Sequence, residues 1–337
     1  MRMTQEIESR LNHLVKKLQG SSAYIGGLER LSGGASQESW RFDVHTEDDA
    51  IRSLVLRRAP EGDASEGSDQ AIALNIEAGL IKTAGENGVP VPDITHICTP
   101  ADGLGEAYIM AFINGETIGR KILRDAAYAL ARKSLPTDCG RALAVIHETK
   151  PPANVSIAVS NGPQQVEAYE ETYRSLKIDR PVFELALQKL KRSAPPPVGP
   201  VLVHGDFRLG NLMVDPNGLV AVLDWELAHL GDPREDLGWL CVNSWRFGET
   251  QQRAGGFGQL EDVLSAYASA GGAVFTPDEV DWWELLGSLK WGIMCMMMYD
   301  SYRSGAVPTV ERAAIGRRVS ETEIDILNLI EKMASHV

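Results

Sequence analysis

The sequence predicts an α+β protein of two lobes, on three observations. Short strand-like runs separated by turns dominate up to about residue 115, with one helix among them. From about residue 118, apolar residues recur at helical spacing through most of the remainder. At 337 residues, 44% hydrophobic and 23% charged, the chain can bury a sizeable core, as one large domain or as two lobes. The shift in pattern favours a small β-rich lobe over 1–115 and a larger, mainly helical lobe over 116–337.

The chain opens with Ile7, Leu11, Leu14, Val15 and Leu18 at helical spacing, which predicts an amphipathic helix. Strand-like runs follow at 25–31, 39–44 and 51–57, the first two joined by the small-residue turn Ser32, Gly33, Gly34, Ala35 and Ser36. Residues 61–69, acidic and rich in Gly and Ser, read as an exposed loop before a helix over 69–84. Val89-Pro90-Val91-Pro92 ends that helix, since proline lacks the amide donor and restricts the residue before it. Two more strands are expected at 94–98 and 106–113, with a turn at Asn114-Gly115-Glu116. Helices are then expected at 119–132, 136–149, 163–175 and 180–193. Pro195, Pro196 and Pro197 form a stiff connector into the strand 201–203. Further helices are expected at 232–244, 259–270, 277–299 and 308–335.

Charge and composition remove several function classes. A net charge of −13 argues against nucleic acid or an anionic membrane as the main partner. Cys98, Cys139, Cys241 and Cys295 are isolated in sequence, which argues against a zinc site or a disulfide framework and for reduced thiols in a cytoplasm. Residues 1–20 are polar and amphipathic, with no apolar run suited to a secretory signal. The apolar stretch 291–299 falls well short of the ~20 residues that span a bilayer. Oligomeric state is not legible.

The segment 201–226 carries the chemistry. An apolar run leads into His204-Gly205-Asp206-Phe207-Arg208-Leu209-Gly210-Asn211, and a second apolar run leads into Asp224-Trp225-Glu226. Phosphoryl transfer needs an in-line nucleophile and cations on the phosphate oxygens, with little covalent help from protein. Asp206 can orient a hydroxyl and take its proton. Asn211 and Asp224 supply oxygen ligands of the kind Mg²⁺ prefers, and Arg208 offers a fixed cation to the transferring phosphate. The plainer reading makes Asp206 and Asn211 turn formers, but a lone tripeptide would be needed to favour it over the full set. His204 is expected to brace the turn rather than move protons. Trp225, Trp239, Trp245, Trp282, Trp283 and Trp291 are expected mostly to fill a helical core, and so are the methionines of 294–298.

HGDFRLGN with LDWE resembles the aminoglycoside phosphotransferase and choline kinase superfamily. The continuation ELAHLGDPREDLG resembles the subgroup that also occurs fused to acyl-CoA dehydrogenase domains. The resemblance implies a two-lobed protein-kinase-like fold with ATP, or GTP in its place, in a cleft. It implies that Asp206 is the catalytic-loop Asp and that Asn211 and Asp224 are the metal ligands. Asp236 then buttresses the catalytic loop, and Glu226 either assists at the metal or serves as a surface or capping residue. Arg57 falls where the family places its phosphate-anchoring Lys, with Arg58 adjacent on the opposite face of the strand, so that a register shift of one residue would exchange their roles. Glu77 is the expected ion-pair partner of Arg57. Residues 32–36 occupy the place of the nucleotide-covering loop, and backbone groups near Ala111 and Ile113 should bind the adenine edge.

The expected function is an ATP- and Mg²⁺-dependent phosphotransferase acting on a hydroxyl of a small molecule, with a metabolic compound favoured over an antibiotic. The alternative is a non-catalytic nucleotide-binding regulatory module, motivated by Arg57 and by the imperfect glycine loop. An intact Asp206, Asn211 and Asp224 argue against that alternative.

Overall fold

Alternation decides the first unit. In the computed structural model, which describes residues 2–31, 37–48, 50–60, 71–153 and 155–335, the strand Glu38–His45 buries every second side chain. It is the second strand (β2) of a five-stranded antiparallel sheet with β1 (Tyr24–Arg30), β3 (Ile51–Arg58), β4 (Ile94–Ile97) and β5 (Ala107–Ala111), in the order β1-β2-β3-β5-β4. Helix α1 (Arg2–Gln19) lays Ile7, Leu11, Leu14 and Val15 on Ile25, Trp40, Phe42 and Leu56 of the sheet. Leu18, the last of the expected stripe, is 45% exposed. Asn12 Oδ1 accepts the Ile25 amide at 2.9 Å and so fixes the helix against the first strand.

Register then sorts the two arginines at the end of β3. Trp40 pairs with Leu56 and Arg57 with Tyr108, so Leu56 faces α1 and Arg57 faces away from it. Arg58 returns to the Leu56 face, where Glu38 lies 3.9 Å away. Helix α2 (Leu74–Glu86) buries Leu74, Glu77, Ala78, Ile81 and Ala84, which places Glu77 on its packed face.

The described chain forms two compact units. One comprises Met1–Gly115 with Pro151–Ser156 and Val220–Ala228; the other comprises Glu116–Lys150, Ile157–Leu219 and His229–Val337. Backbone bonds from Val222 N to Pro90 O and from Ile72 N to Glu226 O, each 2.8 Å, tie 220–228 into the first unit. Asp224 therefore belongs to the same compact body as Arg57, whereas a division at residue 115 alone assigns it to the helical part.

The second unit is helical around a long helix, Pro277–Ser304, whose stretch from Val280 to Met296 is packed. Its helices are α3 (Gly119–Arg124), α4 (Ala129–Glu148), α5 (Gly162–Ser175), α6 (Pro181–Arg192), α7 (Arg234–Cys241), α8 (Leu260–Ser269), α9 (Pro277–Ser304), α10 (Val310–Gly316) and α11 (Val319–Ser335). The short strands β6 (Val201–Val203), β7 (Leu212–Val214), β8 (Leu219–Val222) and β9 (His229–Gly231) flank the motif residues, and β6 pairs antiparallel with β9. Residues from Val280 to Met296 of α9 are buried nearly all round, as a central helix requires. Val166, Phe183, Leu187, Trp282, Leu289 and Ile326 form part of its core.

Several expected helices differ from those found; the one expected over 69–84 begins at Leu74. The break foreseen near 132 lies at Asp125 instead, and Pro136 sits inside α4. A mid-helix proline costs ~3 kcal/mol, and here its ring packs so closely on Gly258 that a Cβ there would lie 2.3 Å from Pro136 Cγ. The stretch 308–335 is two helices, α10 and α11, because Gly316 brings the chain onto Tyr299 with no room for a side chain. The expected loop at 61–69 lies outside the described residues.

Candidate active site

In the first unit, four charged side chains converge. Arg57 Nη2 donates to Asp224 Oδ1 at 2.6 Å and to Glu226 Oε2 at 3.5 Å, while its Nε lies 3.4 Å from Glu77 Oε2. Arg57 is 12% and Glu77 1% exposed, so this is a buried cluster with a surplus of negative charge. Burial pushes the Glu77 carboxyl up to about 7, with Arg57 opposing and Asp224 and Glu226 adding to the shift. Burial lowers the Arg57 pKa, but the three carboxylates raise it further, so the guanidinium stays charged. Asp224 is held at φ 66°, a left-handed conformation that costs a non-glycine residue energy and gathers at functional sites.

In the second unit, β6 delivers the chain into a loop whose backbone is clamped by one carboxylate. Asp236 accepts the amides of His204 at 2.8 Å and Gly205 at 2.9 Å, and its Oδ2 lies 3.1 Å from His147 Nε2. Burial alone would raise the Asp236 carboxyl, but the His147 and backbone hydrogen bonds more than offset it and hold the group below the ordinary carboxylate range. Gly205 turns at φ 79°, and the Asp206 amide then donates to His204 Nδ1 at 3.2 Å. His204 thus braces the turn.

The Asp206 carboxylate is held by three donors. Oδ1 accepts from Trp239 Nε1 at 2.6 Å and from Arg208 Nε at 3.0 Å; Oδ2 accepts from Asn211 Nδ2 at 2.5 Å. The Asn211 amide also reaches Asp206 O at 3.0 Å. The Arg208 guanidinium lies over the Trp245 ring, 4.5 Å from its centroid. Gly210, at φ 123°, leaves space for it: a Cβ would stand 2.5 Å from Arg208 Nη1.

The residues singled out in the sequence therefore gather in two groups, Arg57, Glu77, Asp224 and Glu226 in one unit and Asp206, Arg208 and Asn211 in the other. Ala111 ends β5, where its amide donates to Asp93 O at 2.9 Å, and the Phe112 amide donates to Ser53 O at 3.0 Å. The Ile113 amide donates to no described residue. Ser32, Gly33, Gly34, Ala35 and Ser36 lie outside the described residues. Among the described residues no group of three or more His, Cys, Asp and Glu is arranged to hold a metal ion. Trp239 fills the core as expected and also donates to Asp206, a contact the sequence reading does not give. The signal was its place three residues after Asp236, on the same face of α7.

Comparison with known proteins gives a consistent result. The family model described as the phosphotransferase enzyme family matches residues 27–283. Acyl-CoA dehydrogenase family member 10 of Mus musculus is 30% identical over 240 residues, which is 69% of this chain and 22% of that protein. The chain spans about a fifth to two fifths of the length of the curated relatives it matches. Among solved structures, a choline/ethanolamine kinase family protein from Mesorhizobium loti superposes with a TM-score of 0.66 at 20% identity, covering 98% of this chain and 97% of that one. Spectinomycin phosphotransferase, solved with ADP and spectinomycin, gives a TM-score of 0.61 at 14% identity over 94% of this chain and 97% of that one. The fold is kinase-like, and the subgroup expected from ELAHLGDPREDLG agrees with the named relative.

Proposed function

The chain belongs to the phosphotransferase enzyme family, and from that premise we propose that it moves the γ-phosphoryl group of ATP, or GTP in its place, to a hydroxyl of a small molecule. The observation that carries this reading is the Asp206 carboxylate. Its Oδ1 already accepts two hydrogen bonds and its Oδ2 one. A carboxylate oxygen has room for about two, so Oδ2 is the atom with capacity for one more. Asp206 Oδ2 accepts the hydrogen bond of the acceptor hydroxyl, orients its oxygen for attack, and takes the proton as the new P–O bond forms.

The chemistry of Asn211 and of Asp224 supports Mg²⁺ as the metal. Asn211 spends its Nδ2 on Asp206 and keeps its Oδ1 uncommitted among the described residues. Asp224, with a side chain 30% exposed, keeps Oδ2 while Oδ1 faces Arg57. Each is a hard oxygen donor of the kind preferred by an ion that usually retains waters and phosphate oxygens as its other ligands. When bound, Mg²⁺ neutralises charge on the phosphate oxygens. Arg57 anchors phosphate through Nη1, which donates to no described residue, while Asp224 and Glu77 fix its plane. Arg208, stacked on Trp245, steadies the transferring phosphate. The Ile113 amide is the backbone donor for the adenine edge.

The relatives named as acyl-CoA dehydrogenase family members support a metabolic hydroxyl compound as acceptor over an antibiotic. The net charge of −13 supports a partner other than nucleic acid or an anionic membrane. No described helix is long and apolar enough to cross a membrane. Four unpaired thiols support a reducing cytoplasm. The test is Mg²⁺-dependent release of ADP from ATP by the purified chain. Turnover supports the enzyme; tight nucleotide binding with no turnover on any hydroxylated acceptor would instead make the chain a regulatory module.

A further inference from the structure

Lys290 stands in the buried stretch of α9, between Leu289 and Trp291, and is only 7% exposed. A methionine would fill such a place without the cost of burying a charge. Burial pushes the ammonium down, but Tyr169, Glu235 and Asp206 more than offset this, so the group keeps its proton. The Tyr169 hydroxyl, from α5, is its hydrogen-bond partner.

Two further contacts run from Lys290 towards the reacting carboxylate. Its Nζ lies 4.5 Å from the centroid of the Trp239 ring, and that indole donates from Nε1 to Asp206 Oδ1 at 2.6 Å. A cation over an indole face draws on its electron density and makes the N–H a stronger donor. Nζ also donates to Gly205 O, in a long bond of 3.4 Å. The peptide group between Gly205 and Asp206 is thereby held at both ends, since the Asp206 amide donates to His204 Nδ1 at 3.2 Å. One ammonium therefore meets both the backbone that carries Asp206 and the indole that holds its side chain.

We propose that Lys290 is a positioning residue for Asp206, acting through the Trp239 indole and the Gly205 carbonyl rather than on substrate. The proposal rests on the kinase reading and adds a determinant of its rate. Both supports bear on the carboxylate, and neither bears on the groups assigned to the nucleotide. Loss of the ammonium should therefore slow turnover and leave ATP binding intact.

The test compares the full chain with Lys290→Met, Trp239→Phe and the double variant in Mg²⁺-dependent ADP release, with indole N–H NMR spectra alongside. In Lys290→Met, kcat should fall by ~10-fold or more, as small displacements of a reacting group do, with KM for ATP unchanged. The two single losses should not multiply in the double variant, because Lys290 acts in part through Trp239. The resonance that disappears in Trp239→Phe identifies the Trp239 indole, and Lys290→Met should move that resonance upfield. A neutral Lys290→Gln serves if the methionine variant does not fold.

Unchanged turnover overturns the proposal, as does an equal loss of ATP affinity, full multiplication of the two losses or an unmoved Trp239 resonance. Movement of all seven indole resonances, or failure of both neutral variants to fold, makes Lys290 a structural residue and overturns it too. Turnover by the unaltered chain supports the kinase reading whatever the variants do. Its absence removes that reading, and the Trp239 resonance still reports whether Lys290 acts on the indole.

Discussion

Arg57 Nη2 and Asp224 Oδ1 are joined by a 2.6 Å hydrogen bond, although 167 positions of sequence separate them. The bond makes a β3 residue and the residue after the second apolar run a single electrostatic unit, with Glu77 behind them at 3.4 Å from Arg57 Nε. Where the family resemblance places a lysine, the guanidinium contacts three carboxylates at once. A lysine ammonium presents three donors from a single point and lacks that planar spread.

Replacing Arg57 by Met should therefore do two things. It leaves Glu77 and Asp224 without their cation, which for a buried pair costs about 3–5 kcal/mol. It should also weaken ATP binding by at least ~10-fold through loss of a charge-assisted phosphate contact. Urea denaturation and nucleotide titration check the two effects. Unchanged stability would dissolve the cluster as described, and unchanged affinity would remove the anchoring role.

Trp239→Phe keeps an aromatic ring at the base of Asp206 and removes only the indole N–H that reaches Oδ1 at 2.6 Å. A hydrogen bond to a charged group is worth about 1.5–3 kcal/mol, so ADP release should fall by ~10-fold or more. Affinity for ATP should stay the same, because Trp239 belongs to the carboxylate side of the chemistry. A matched fall in affinity would show that the substitution had disturbed the wider fold.

Asp236 predicts a pH dependence. Its carboxyl is held below the ordinary value of 3.8 in the folded chain. The stabilisation is present above pH ~4, where the unfolded carboxyl is ionised, and is lost as pH falls through the lower folded value. In Asp236→Asn, one of the two loop amides meets an amide NH₂ instead of an oxygen, which should cost ~3 kcal/mol at neutral pH. Urea midpoints measured from neutral to acid pH should fall more steeply for the unaltered chain than for the variant. Parallel curves would contradict the clamp.

Leu11→Ala probes the first core. Leu11 is 0% exposed between α1 and the sheet, and removing a buried leucine side chain costs about 2–5 kcal/mol. Thermal denaturation reads it directly, and a loss below ~1 kcal/mol would mean that α1 does not pack as described.

Much of this was legible because the signals are local. Apolar alternation over 39–44 marks β2, and HGDFRLGN carries its turn together with Asp206, Arg208 and Asn211 within eight residues. What escaped reading depends on partners far along the chain. Pro136 looks like a helix breaker until Gly258 is placed against its ring. Asp224 joins Arg57 because Pro90 O and Ile72 N capture the backbone on either side of it. Lys290 sits in a run of apolar residues on α9, where sequence gives no measure of how its charge is matched. The choice between Arg57 and Arg58 needed the register of β3 on β2 and β5, which no single strand carries.

In the proposed function, Asp206 handles the acceptor proton while other groups hold the nucleotide. The most direct measurement is the pairing of Mg²⁺-ATP affinity with ADP release in Asp206→Asn. Affinity should stay close to that of the unaltered chain, and turnover should fall by ~10²–10⁴-fold, the usual worth of general acid–base catalysis. Turnover near that of the unaltered chain would contradict the account.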